Sequence, residues 1–101
     1  MPKLYVYFGL VVFFYSNEHE PIHVHGFCQG RSCKAELTVR NGKVAAITFT
    51  AVSKMVPLRP AELANFKKLV RAKADDIVRK WVDYFVLHRD ITPVTITRRL
   101  P

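Results

Sequence analysis

Cysteine is scarce in this chain: two residues, Cys28 and Cys33, among 101. Two thiols do not make the disulfide framework that staples small secreted domains, and a chain that is 50% hydrophobic can build a core without one. A membrane-spanning run is also missing. The longest apolar stretch, residues 4–15, is too short to cross a bilayer and lacks an Ala-x-Ala type of cleavage site. Its aromatics and valines suit a buried strand, so the chain is expected in the cytoplasm by default, with no membrane partner. There are no repeats, no low-complexity tract and no linker, which leaves one expected domain over residues 1–101. No Gly-rich phosphate loop, no His-Glu-x-x-His and no Ser-centred elbow occurs, so the common nucleotide, zinc-protease and serine-hydrolase signatures are excluded.

Acidic residues are few as well, eight against 16 Lys and Arg, for a formal net charge of +8. The larger share, ten basic and five acidic residues, follows Lys54. Such a balance suits polyanionic partners, nucleic acid among them, and is equally the charge of an ordinary soluble basic protein.

What the chain does contain reads as strands first and helices second. Residues 4–16 are strand-like, with Gly9 as a bulge or bend. Residues 17–21 form a polar turn, because Pro21 forces Glu20 into an extended conformation. Residues 22–28 alternate as a second strand, 29–32 turn, and 33–40 form a third strand. Asn41-Gly42 is the strongest hairpin signal, since both residues tolerate positive φ, and residues 43–51 return as a fourth strand. After Pro57 the period changes. Pro60 and Glu62 suit a helix start, Leu63, Phe66 and Val70 fall at helical spacing, and a second helical stretch carries Ile77, Val78, Trp81, Val82 and Phe85 on one side. Residues 94–97 look like a short last strand. The expectation is an α+β fold: an antiparallel four-stranded meander, two helices packed on one face, and a short C-terminal strand.

The unusual chemistry lies at His19, Glu20, His23 and His25. Strand residues two apart point to the same side, so His23 and His25 are neighbours able to present two imidazoles to one metal ion. If Cys28 opposes Cys33 across the turn, Glu36 falls opposite His25 and Thr38 opposite His23. His23, His25 and Glu36 would then be a two-His-one-carboxylate set for a divalent transition metal, with His19 or Glu20 in reach and available as a base. The same register carried through Asn41-Gly42 places Ile47 and Phe49 on the histidine face too, unless a bulge resets it. The competing reading makes these imidazoles hydrogen-bonded side chains that fix the loop after the first strand.

By parity Cys28 lies with Ile22 and Val24, opposite the histidines, so both cysteines are expected as small buried hydrophobes. A His/Cys zinc site or a cysteine nucleophile is the less favoured alternative. Lys67, Lys68, Arg71, Lys73, Arg79 and Lys80 are candidates for nucleic-acid contact, spread around the helices rather than along one stripe.

Residues 13–25, the Lys34-Ala35-Glu36 strand, the Asn-Gly turn and the later Asp75-Asp76-Ile77 leading to Trp81 together resemble the small bacterial proteins of the family named domain of unknown function 4160 (DUF4160). The resemblance covers roughly residues 4–85. It implies no established activity. It does imply the layout of a two-gene, toxin–antitoxin-like module with a protein or nucleic-acid partner. The tail from Thr92 and the two cysteines depart from the family pattern, and the tail is free to pair with the sheet or to join a homodimer through a sheet edge.

Overall fold

A computed structural model describes residues 2–14 and 21–101. Three dipeptides ending in glycine organise its sheet. Phe8-Gly9, Gln29-Gly30 and Asn41-Gly42 each hold two successive residues at positive φ (47° and 83°, 48° and 77°, 52° and 76°). That is the backbone of a type I′ turn, whose twist matches that of paired strands. The turns join β1 (Lys3–Tyr7) to β2 (Leu10–Phe13), β3 (Ile22–Cys28) to β4 (Arg31–Arg40), and β4 to β5 (Lys43–Thr50). β2 pairs antiparallel with β3, so β1 to β5 form one meander. Two short strands run parallel to their neighbours: β6 (Val56–Pro57) beside Arg31 and Ser32 of β4, and β7 (Val94–Ile96) beside Tyr5 to Tyr7 of β1. The order across the sheet is β5-β4-β3-β2-β1-β7, with β6 on β4.

The expected four-stranded meander is therefore part of a seven-stranded, mostly antiparallel sheet. Residues 4–16 do not form one strand. Gly9 is the second residue of a hairpin turn rather than a bulge or bend, and the turn is hard to read because Phe8, a bulky residue, takes the left-handed conformation that such side chains rarely adopt. The second turn uses only Gln29-Gly30, and Arg31 and Ser32 belong to β4. The short C-terminal strand is present, and it lies on the β1 edge.

Two helices follow the meander, α1 (Pro60–Ala72) and α2 (Ala74–Trp81), separated at Lys73, whose ψ of 15° departs from the helical value. Pro60 opens α1 where its missing N–H costs nothing, and the Glu62 carboxylate accepts the Arg59 backbone N–H at 2.9 Å. That hydrogen bond holds the Glu62 carboxyl below its ordinary range. After Trp81 the coil widens into a π-type turn over Val82–Val86, with the Leu87 N–H donating to the Val82 carbonyl at 3.0 Å. The widened turn brings Phe85 against Trp81 and Phe14 at ring separations of 5.3 and 5.6 Å.

Phe66, Leu69, Val70, Ile77 and Trp81 of the helices share one core with Tyr5, Tyr7, Val12, Phe14, Val24, Ala35 and Leu37. The approach is closest at Gly26. A Cβ there would sit 2.7 and 2.8 Å from two carbons of the fully buried Phe66 ring, so α1 lies against bare backbone at this point. β1 is fixed to α2 by a polar contact: the buried Tyr5 hydroxyl donates to Asp76 Oδ2. Asp76 also pairs with Arg79 and, at 3.3 Å, with Lys80. Burial works against ionising Asp76, yet the hydrogen bonds from Tyr5, Arg79 and Lys80 hold its carboxyl below the ordinary range.

Candidate functional site

The histidine strand is β3, and its register corrects the expected pairing. Because the β3–β4 turn has two residues, His23 opposes Glu36 and His25 opposes Lys34, while Cys28 faces Arg31 and Cys33 faces Gly26. The slip is by two residues, so side-chain parity survives: His23, His25 and Glu36 share the face away from the helices. Ile47 and Phe49 do not join them. A register shift between Thr38 and Val39 places Ala45 as an extra residue in β5, and Ile47 and Phe49 then oppose Leu37 and Ala35 on the helix side.

On that outer face the rings form a row. Phe13 of β2 stacks on His25 at 5.7 Å with 22° between planes, and His23 meets His25 edge-on at 5.5 Å. His25 is 4% exposed and Phe13 7%. His23 Nδ1 lies 2.7 Å from the Pro21 carbonyl oxygen, so the imidazole ties the start of β3 to its own backbone. Among the described residues no group of three or more His, Cys, Asp or Glu side chains gathers as a metal would require. His19 and Glu20, the other residues expected here, lie outside the described residues.

Both cysteines are free and buried in the helix-side core. Burial pushes both thiols up, the reverse of what a nucleophile needs. Next to Cys28 the Glu62 carboxylate adds to that rise. The Cys33 thiol donates to the Thr50 carbonyl at 3.4 Å. Thiol–disulfide exchange of either cysteine with a chromogenic disulfide is therefore expected to be about tenfold or more slower in the folded protein than in urea, as timed by release of the coloured thiolate. Equal rates in the two states would contradict this burial.

The six basic candidates divide into two sets. Arg79 and Lys80 are engaged with Asp76. Lys67 and Arg71, one helical turn apart, stand over the Phe49 ring at 5.6 and 5.5 Å, and Phe49 packs edge-on against Phe66. Among the described residues no carboxylate lies within ion-pair distance of Lys67, Lys68, Arg71 or Lys73. Spacing alone could have paired Lys67 with Arg71, but Phe49 beneath them comes from a distant strand and had no local signal. A cleft of about 200 Å³ opens beside them, lined by Cys33, Phe49, Thr50, Leu58, Leu63 and Lys67 among others. A larger one, about 470 Å³, lies where the β4–β5 turn meets α2.

The arrangement defines a class: a small basic α+β protein with an antiparallel meander, helices on one face and a histidine–aromatic row on the other. The family described as domain of unknown function (DUF4160) matches over residues 9–82, and the chain belongs to it. The match runs from the first hairpin glycine to just past α2, so β1 and β7, which pair with each other, lie outside it. No curated protein and no solved structure matches the chain. No helix among the described residues is long and apolar enough to cross a membrane.

Proposed function

We propose that the protein is a non-enzymatic binding module that engages a negatively charged macromolecular partner through the cations of α1. The observation that carries this reading is the pair Lys67 and Arg71, held over Phe49 with no carboxylate among the described residues to neutralise them. A cation anchored on an aromatic face keeps its charge available and loses less side-chain freedom when a partner arrives. The net charge of +8 supplies long-range attraction. A partner encoded beside it, as in the two-gene modules that the family resemblance implies, would fit such a surface.

Titration with mixed RNA and DNA and with polyglutamate tests the reading. Affinity is expected to fall steeply as salt rises, and Lys67→Glu with Arg71→Glu to weaken binding about tenfold. Arg79→Glu should matter less, because Asp76 already engages Arg79. Binding that persists unchanged at high salt contradicts a charge-driven mode.

A second reading, a metal-dependent hydrolase, draws on Glu36 standing across from His23 on the face that His25 shares; the three are not gathered at ligand distance, so an ion would have to draw them together. Its test is thermal stabilisation of untagged protein by zinc, manganese or nickel. No shift with any of them removes it.

A further inference from the structure

β5 is an edge strand with its outer side open. Among the described residues nothing pairs with it beyond β4, and every residue from Lys43 to Thr50 is at least partly exposed. An open edge presents alternating backbone donors and acceptors, which another polypeptide backbone satisfies and a phosphate backbone does not. The edge is also flanked by cations. Lys67 and Arg71 flank its Phe49 end on the helix side, and Lys34, opposite Thr50, flanks it on the other face. The cleft of about 200 Å³ opens at the same end, between Phe49, Leu58 and Leu63.

We infer that β5 is a docking edge for an extended acidic segment of a partner protein, which adds to the sheet as a further strand. The segment sets its carboxylates against Lys67 and Arg71 and an aliphatic side chain into the neighbouring cleft. The inference rests on the polyanion-binding reading above and names its occupant. A second copy of this chain is the poorer occupant. Antiparallel pairing of two β5 strands would bring Lys43 of one copy toward Lys67 and Arg71 of the other, and like charges so placed repel.

Panning a displayed library of random peptides against the full-length protein tests this, with Lys67→Glu/Arg71→Glu as counter-target. The expected winners are proline-free, rich in β-branched residues, acidic and with an aliphatic anchor, and they bind the counter-target about tenfold less tightly. If charge reversal unfolds the protein, Lys67→Gln/Arg71→Gln replaces it, since glutamine stems still cover Phe49. In the complex with the strongest winner, amide exchange followed by NMR is expected to slow among residues 46–50 of β5 and to stay unchanged in β7. A peptide that binds without protecting β5 overturns the docking edge, and so does enrichment of neutral or proline-rich sequences. In either case the polyanion reading survives if salt-sensitive binding of RNA and DNA remains. Failure to enrich any peptide while nucleic acid still binds also overturns the edge alone. Loss of all three kinds of binding removes both readings.

Discussion

Replacing Gly26 with alanine is expected to cost about 1–3 kcal/mol of folding stability, the range found when an extra carbon is forced into a packed core. The new Cβ meets the Phe66 ring at 2.7 Å, well inside van der Waals contact, and neither side can move cheaply. Behind Gly26 is β3, paired on both sides; behind Phe66 is α1, whose ring is also wedged against Phe49. Urea unfolding followed by circular dichroism would measure the loss. Phe66→Leu made alone leaves a void, but combined with Gly26→Ala it should recover part of the cost, because the added methyl enters space the ring has vacated. Strict additivity of the two changes would show that the clash is not the cause. The glycine that ends the His-Val-His-Gly string is thus explained by helix packing, independently of any role for the imidazoles.

The second large effect is expected at Asp76. Asp76→Ala should cost about 2–3 kcal/mol, since the Tyr5 hydroxyl is left buried without its acceptor and the first turn of α2 loses a negative charge. Tyr5→Phe should cost less, about 1 kcal/mol, because Asp76 keeps Lys80 and Arg79. The two variants should also separate in their pH dependence. The fold favours the ionised form of Asp76, so its contribution is complete above about pH 4 and is lost as pH falls through the lowered folded value. Tyr5 behaves oppositely: burial first, and then its bond to Asp76, favour the neutral phenol. Its contribution is complete below about pH 10 and declines as pH rises beyond that. Stability measured across pH should therefore show a shallower acid loss in Asp76→Ala and a shallower alkaline loss in Tyr5→Phe, each relative to the natural chain. An acid limb unchanged in Asp76→Ala would remove the pair from the account.

Several of these features are legible in the sequence. Asn41-Gly42 announces its turn because asparagine and glycine tolerate positive φ, and the period change after Pro57 locates both helices. The common face of His23, His25 and Glu36 also survives, since parity is insensitive to a slip of two residues. What could not be read depended on partners distant in sequence. Phe8 in a left-handed turn follows no propensity rule, and the bulge at Ala45 that clears Ile47 and Phe49 from the histidine face leaves no local mark. β6 is only two residues long and gains its identity from β4 and from the Arg31 guanidinium donating to the Pro57 carbonyl at 3.2 Å. The cation–Phe49 stack and the Tyr5–Asp76 bond join residues with no pattern between them.

The pairing of β7 with β1 also bears on the order in which the molecule assembles. Strands β1 to β5 each pair with the next strand in the chain, contacts that cost little chain entropy. The β1–β7 ladder, together with the Leu100 N–H that reaches the Tyr7 hydroxyl across 93 residues, closes a far longer loop at a greater cost in chain entropy. During synthesis β1 is made well before β7, and its outer edge stays open until β7 follows. Deleting the residues after Val86 should therefore leave the β1 edge open in the finished fold and raise aggregation, read by light scattering during refolding, more than it lowers stability in urea.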